Sequence, residues 1–94
     1  MKLIEFLDAA TWYSGELVIN GWEFPWSFEW DFQTKFTEDG KRKFKKILQS
    51  EVRYYKGNLF IDNENVTYEE AEYLIALVAG YTINTDYNKY IQLV

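Results

Sequence analysis

Residues 22–32 read WEFPWSFEWDF, and Asn20 and Gly21 stand directly before them. Trp22, Phe24, Trp26, Phe28, Trp30 and Phe32 alternate with Glu23, Pro25, Ser27, Glu29 and Asp31. A period of two is that of a β-strand, whose successive side chains point to opposite faces. The stretch therefore predicts one strand with an aromatic face and a mostly acidic face. An exposed aromatic patch of that extent exceeds what soluble monomers normally show, so the aromatic face is expected in the core. Pro25 has no N–H to give to a ladder, which places this strand at a sheet edge or a bulge.

The neighbouring residues extend the pattern in both directions. Asn-Gly is the preferred pair for a type I′ turn, so Asn20-Gly21 predicts a hairpin between strand 16–19 and strand 22–32. Thr11 to Gly15 read as a loop. Leu3, Ile4, Phe6, Leu7 and Ala10 share a helical face and predict a helix over residues 2–10. Downstream, Thr37 can cap a helix over 38–50, with Glu38 and Asp39 in its first turn where the macrodipole favours anions. Phe44, Ile47 and Leu48 form its apolar stripe. Val52–Tyr55 and Leu59–Asp62 predict a second hairpin through Lys56-Gly57-Asn58. Thr67 and Glu70 form a capping box that opens a largely buried helix over 68–79. Gly80 is placed to end it, and Asn84 or Thr85 to cap a last helix bearing Tyr87, Tyr90 and Ile91. The expectation is a single small α+β domain over 1–94 in the order α-β-β-α-β-β-α-α. Its helices pack on an antiparallel sheet of about four strands, made of two hairpins.

Composition narrows the chemistry. The 94 residues include 4 Trp, 8 Tyr and 7 Phe, which give so short a chain an efficient core. There is no Cys and no His. Disulfides, thiolate chemistry, the usual metal ligand and the usual general base near neutral pH are thereby absent. No catalytic residue, metal or cofactor is expected, and the chain is read as a non-enzyme. Glu5 and Asp8 interrupt the apolar N-terminal residues, unlike a secretory signal. The longest apolar run, Leu74–Ala79, is far below the roughly 18 residues of a membrane span. A cytoplasmic protein with no membrane contact is expected.

Charge is segregated along the chain. Its net value is −5, yet residues 41–56 carry seven bases against Glu51 alone. Arg42, Lys43, Lys45 and Lys46 on the second helix, with Arg53 and Tyr54 nearby, form the best local candidate for nucleic-acid contact. Overall acidity opposes that reading, since nucleic-acid affinity depends on neutralising phosphates. The acids Glu23, Glu29, Asp31, Glu69 and Glu72 are the alternative. They predict an acidic surface that steers a partner protein whose own site is basic. Asp62-Asn63-Glu64-Asn65 resembles the start of a calcium loop, but Val66 stands at the fifth position and Tyr73 at the twelfth, so a turn is expected.

Residues 37–52, TEDGKRKFKKILQSEV, together with Asn20-Gly21-Trp22 and the downstream LIALVAGYTINTDYNKY, carry a resemblance. They resemble small uncharacterised proteins of Gram-positive bacteria, their phages and mobile elements. The resemblance implies no activity. It implies an accessory or anti-defence protein that acts by binding, in the manner of small acidic anti-CRISPR proteins. The expected function is a non-catalytic protein-binding module acting on a nucleic-acid-handling host protein, as a monomer or homodimer. The alternatives are a nucleic-acid binder using residues 41–46 with Tyr54 and Tyr55, and a structural domain with no ligand.

Overall fold

Asn20 and Gly21 hold φ angles of 53° and 84°, and Lys56 and Gly57 hold 51° and 83°. Two successive positive φ angles mark the type I′ family, whose twist matches that of the flanking strands. Each turn closes an antiparallel hairpin: β1 (Trp12–Ile19) with β2 (Trp22–Glu29), and β3 (Arg53–Tyr55) with β4 (Asn58–Ile61). The computed structural model describes residues 1–10, 12–29, 36–79 and 90. Helix α1 (Leu3–Ala9) precedes the first hairpin, α2 (Glu38–Lys43) and α3 (Lys45–Leu48) lie between the two, and α4 (Tyr68–Ala79) follows. The fold is α+β.

The sheet has four strands in the order β2-β1-β4-β3. It is mixed, which corrects the antiparallel sheet expected from sequence: β1 runs parallel to β4, pairing Leu17–Ile19 with Leu59–Ile61. Turn chemistry fixes only the pairing inside a hairpin. How two hairpins meet is decided by the burial of their apolar faces against common helices.

Two further differences have local causes. β1 begins at Trp12, where a loop was expected through Gly15. Gly15 reads as a breaker, but the Tyr13 ring covers it. A Cβ on Gly15 would stand 2.5 Å from the Gly57 carbonyl oxygen and 2.8 Å from the Tyr13 hydroxyl. The helix expected over 38–50 divides at Phe44, whose backbone sits at φ −102° and ψ 20°. Its buried ring packs between Phe36, Tyr73 and Tyr90, at centroid distances of 6.0, 5.6 and 5.8 Å. Seating that ring takes the backbone out of helical geometry. Residues 30–32 of the expected strand, Gly80 and, apart from Tyr90, the expected last helix lie outside the described residues.

The aromatic strand faces inward as its period requires. Phe24 and Trp26 are buried, Trp26 at 1% exposure, while Glu23, Pro25, Ser27 and Glu29 are exposed. Leu17, Ile19, Leu59 and Ile61 complete the inner face of the sheet. Leu3 and Leu7 of α1, Ile47 and Leu48 of α3, and Ala71, Leu74, Ile75 and Val78 of α4 close over it. Ile19 and Trp22 close a two-residue turn, so even-numbered β2 residues bond β1 and odd-numbered ones face the free edge. Pro25 therefore presents its missing N–H outward.

The end of the β1/β4 pairing is tied by polar groups. The Asn20 N–H donates to the Ile61 carbonyl at 2.9 Å. Its side-chain Nδ2 donates to the Asn63 and Val66 carbonyls at 2.8 and 3.3 Å, and its Oδ1 accepts from the Asn63 N–H at 2.8 Å. Asn63 Nδ2 donates onward to Ser50 Oγ at 2.8 Å. Thr37 and Thr67 cap their helices as expected, accepting from Gly40 N at 3.1 Å and Glu70 N at 3.2 Å.

Two stability predictions follow from this packing. Trp26→Ala should cost about 3–5 kcal/mol in urea unfolding, the range for large aromatic truncations in cores. Asn20→Gly keeps the left-handed turn but removes the three side-chain bonds. It should cost about 1–3 kcal/mol, whereas a loss near zero would mean that the turn alone organises this corner.

Candidate functional site

The acidic residues named from sequence do not form one surface. Glu23 and Glu29 are exposed on the outer face of β2. Glu69 and Glu72 are exposed on α4, which packs against the inner face of the same strand. Sheet and helix thus separate the two pairs. Asp31 lies outside the described residues.

The basic residues are dispersed as well, and several are neutralised. Arg42 pairs with Asp39, and Lys41 with Glu38 at 3.4 Å, one helical turn apart. Lys46 bridges to Glu70 at 3.1 Å and donates to the Asn65 carbonyl at 3.0 Å. Arg53 pairs with Asp62 at 2.6 Å on the outer face of the sheet, its guanidinium carbon 6.0 Å from the centre of the Phe60 ring. Tyr54 faces the other way, opposite Leu59. Lys43 and Lys45 are exposed. Each exposed pair is worth little in stability. Together they lower the local positive potential on which a phosphate track would depend.

A different surface stands out, and the sequence reading did not find it. Because Leu17 pairs with Leu59, residues 12–15 of β1 run beyond the start of β4 at Asn58. The overhang leaves a groove of about 530 Å³ between α1, β1 and the second hairpin. Its floor is Phe6, Tyr13, Val52 and Leu59, and its rim is Met1, Trp12 and Tyr54. The rim residues are 65%, 64% and 66% exposed. A concave, mostly apolar site of this volume is typical of binding pockets. Tyr54 is the one sequence-named residue that lines it. The signal available in the sequence was the aromatic pair Trp12-Tyr13, which a loop reading hid.

Among the described residues two titrating groups are shifted, and hydrogen bonds tie both into the fold. Burial pushes the Tyr13 phenol up to about 12. Its hydroxyl lies 2.9 Å from the Glu16 carbonyl and 3.1 Å from that of Gly57, which fixes the floor of the groove. For Glu70, burial acts to raise the carboxyl. The hydrogen bonds from Lys46 and Thr67 together outweigh burial and hold it below its ordinary value.

No helix among the described residues is long and apolar enough to cross a membrane, and no described cluster of His, Cys, Asp and Glu is arranged to hold a metal ion. Comparison with protein-family models, with curated proteins and with solved structures finds no match to this chain.

The Glu70 shift sets an acid limb of stability. A carboxyl whose pKa is lower folded than unfolded stabilises the fold above its unfolded value, 4.5, and that contribution is lost as pH falls through the folded value. Thermal unfolding followed from pH 6 to pH 3 should therefore show a shallower decline for Glu70→Gln than for the parent chain. An identical slope would show that the Lys46–Glu70–Thr67 bonds do not persist in solution.

Proposed function

We propose that this chain is a non-catalytic protein-binding module whose contact surface is the groove rimmed by Met1, Trp12 and Tyr54. The observation that carries the reading is the exposure of three large apolar side chains around one concave apolar floor. A partner's aliphatic or aromatic side chain seated there would lose much of its water to the apolar floor and rim, as at an interface hot spot. Trp and Tyr at the rim combine large contact area with few rotatable bonds, so they order at low entropic cost. The finer reading is an accessory protein of a phage or mobile element that engages a nucleic-acid-handling host protein. It rests on the resemblance and on the exposed acids Glu23, Glu29, Glu69 and Glu72, which lie on two separate surfaces and would act only by steering a basic partner on approach.

Site-specific photocrosslinking distinguishes the surfaces. A benzophenone side chain placed at position 54 should give a discrete protein adduct in the cell that makes this protein. The same group at position 23, at the far end of β2, or at position 72 should give little. Trp12→Ala should remove the position-54 adduct while the melting temperature moves only slightly, since Trp12 is mostly exposed. Adducts from position 23 or 72 with none from 54 would return the contact to the acidic surfaces.

A further inference from the structure

Asn20-Gly21 is the only Asn-Gly pair in the chain. In an unstructured chain such a pair is chemically labile. The glycine nitrogen, with no Cβ beside it, can attack the asparagine Cγ. The Cγ–Nδ2 bond then breaks, and Nδ2 leaves with the glycine's N–H proton as ammonia. Water opens the resulting succinimide at either carbonyl, to aspartate or to isoaspartate. The ring closes only when the glycine nitrogen and the asparagine Cβ lie on the same side of the Cα–C bond. The side-chain amide must also be free to turn its face to that nitrogen.

The fold denies both conditions. Asn20 at φ 53°, followed by Gly21 at 84°, is the first central residue of a type I′ turn. That position has a ψ of about +30°, the mirror of the type I value. The Gly21 nitrogen then lies nearly opposite Cβ across the Cα–C bond, out of reach of Cγ. The amide is held at both ends. Nδ2 donates to the Asn63 and Val66 carbonyls at 2.8 and 3.3 Å, and Oδ1 accepts from the Asn63 N–H at 2.8 Å. Steric cover plays no part. Gly21 is exposed, and nothing lies within 4 Å of where a Cβ on it would stand. Protection is conformational and lasts as long as the corner stays closed.

We propose that Asn20 is a conditional modification site. It is inert while the turn grips Asn63 and Val66, and opening of that corner, short of unfolding the chain, exposes it to deamidation. The change runs one way. Aspartate puts a carboxylate oxygen where Nδ2 faced two carbonyl oxygens, so both acceptors lose their donor. Isoaspartate adds a main-chain carbon to a two-residue turn closed by Ile19 and Trp22. Neither product remakes the corner that ties β1 to the exit of β4.

The test follows residue 20 by peptide mass spectrometry, which separates amide from acid. At one mildly alkaline pH, conversion in buffer should be at least about tenfold slower than in urea above the unfolding transition. Equal rates overturn the protection. Asn63→Ala loosens the gripped segment, because it removes the side-chain bonds to Ser50 Oγ and from the Asn65 N–H. Trp26→Ala weakens the core away from the turn, opposite Gly15. At urea concentrations that leave both variants the same small unfolded fraction, Asn63→Ala should convert severalfold faster. Equal conversion there means that only global unfolding exposes Asn20, and overturns local opening. If Asn63→Ala does not fold, the parent chain decides alone. Below its transition, conversion should be nearly independent of urea, as local opening requires. Conversion proportional to the unfolded fraction overturns the proposal. Chains converted in urea and returned to buffer should melt below the parent. Recovery of the parent's melting temperature overturns the one-way step.

Discussion

The three-residue parallel pairing of β1 with β4 is the joint on which the molecule depends. It connects two hairpins that are otherwise local, and it is short: Leu17–Ile19 against Leu59–Ile61. A parallel ladder of that length contributes modestly by itself. Asn20 extends it past its last rung. Its backbone N–H continues the ladder to Ile61, and its side chain grips the backbone of Asn63 and Val66 in the segment that leads into α4. One residue thus makes the tight turn of the first hairpin and anchors the exit of the second. Because it sits at a positive φ, the side chain is aimed by the same geometry that forms the turn.

The joint also explains the groove. Register is fixed at the Asn20 end, so any difference in strand length appears at the other end. β1 is eight residues long and β4 is four. The excess of β1 projects past the Lys56-Gly57 turn, and there Tyr13 folds its ring over Gly15 and reaches the Gly57 carbonyl. α1 covers one side of this overhang through Phe6, whose ring stands edge-on to Tyr13 at 5.5 Å. The other side remains open, and Trp12 and Tyr54 line it. The exposed aromatics follow from unequal strand lengths rather than from a failure of burial.

What was legible in the sequence was whatever is encoded locally. The period of the strand assigned Phe24 and Trp26 to the core and Glu23, Pro25, Ser27 and Glu29 to the outer face, because side-chain alternation in a strand is obligatory. Asn20-Gly21, Thr37 and the Thr67–Glu70 box announced themselves, because turns and caps use few residue types for stated steric and hydrogen-bonding reasons. What was not legible was relational. Nothing in either hairpin states that β1 meets β4 in parallel. The overhang depends on that register, so the groove was invisible. Gly15 misled for a related reason: its tolerance within β1 comes from the covering Tyr13 ring and the nearby Gly57 carbonyl, contacts made across the fold.

Charge illustrates the same limit from the opposite side. A run such as Lys41-Arg42-Lys43 with Lys45-Lys46 looks like a patch when counted along the chain. In the fold Lys41 and Arg42 meet Glu38 and Asp39 one turn earlier, and Lys46 crosses to the capping carboxylate of α4. Arg53 is turned to the outer face by strand alternation while Tyr54, its neighbour, faces the groove. Helical and strand periodicity thus distribute a linear block over separate surfaces. The acids divide likewise, with Glu23 and Glu29 on one side of β2 and Glu69 and Glu72 on a helix that packs on the other. What remains concentrated is apolar: the groove gathers Phe6 of α1, Trp12 and Tyr13 of β1, Leu59 of β4 and Tyr54 of the β3 edge from four separate segments. A surface assembled from so many segments exists only while the β1/β4 joint holds, so recognition there and the integrity of the fold are set by the same few contacts.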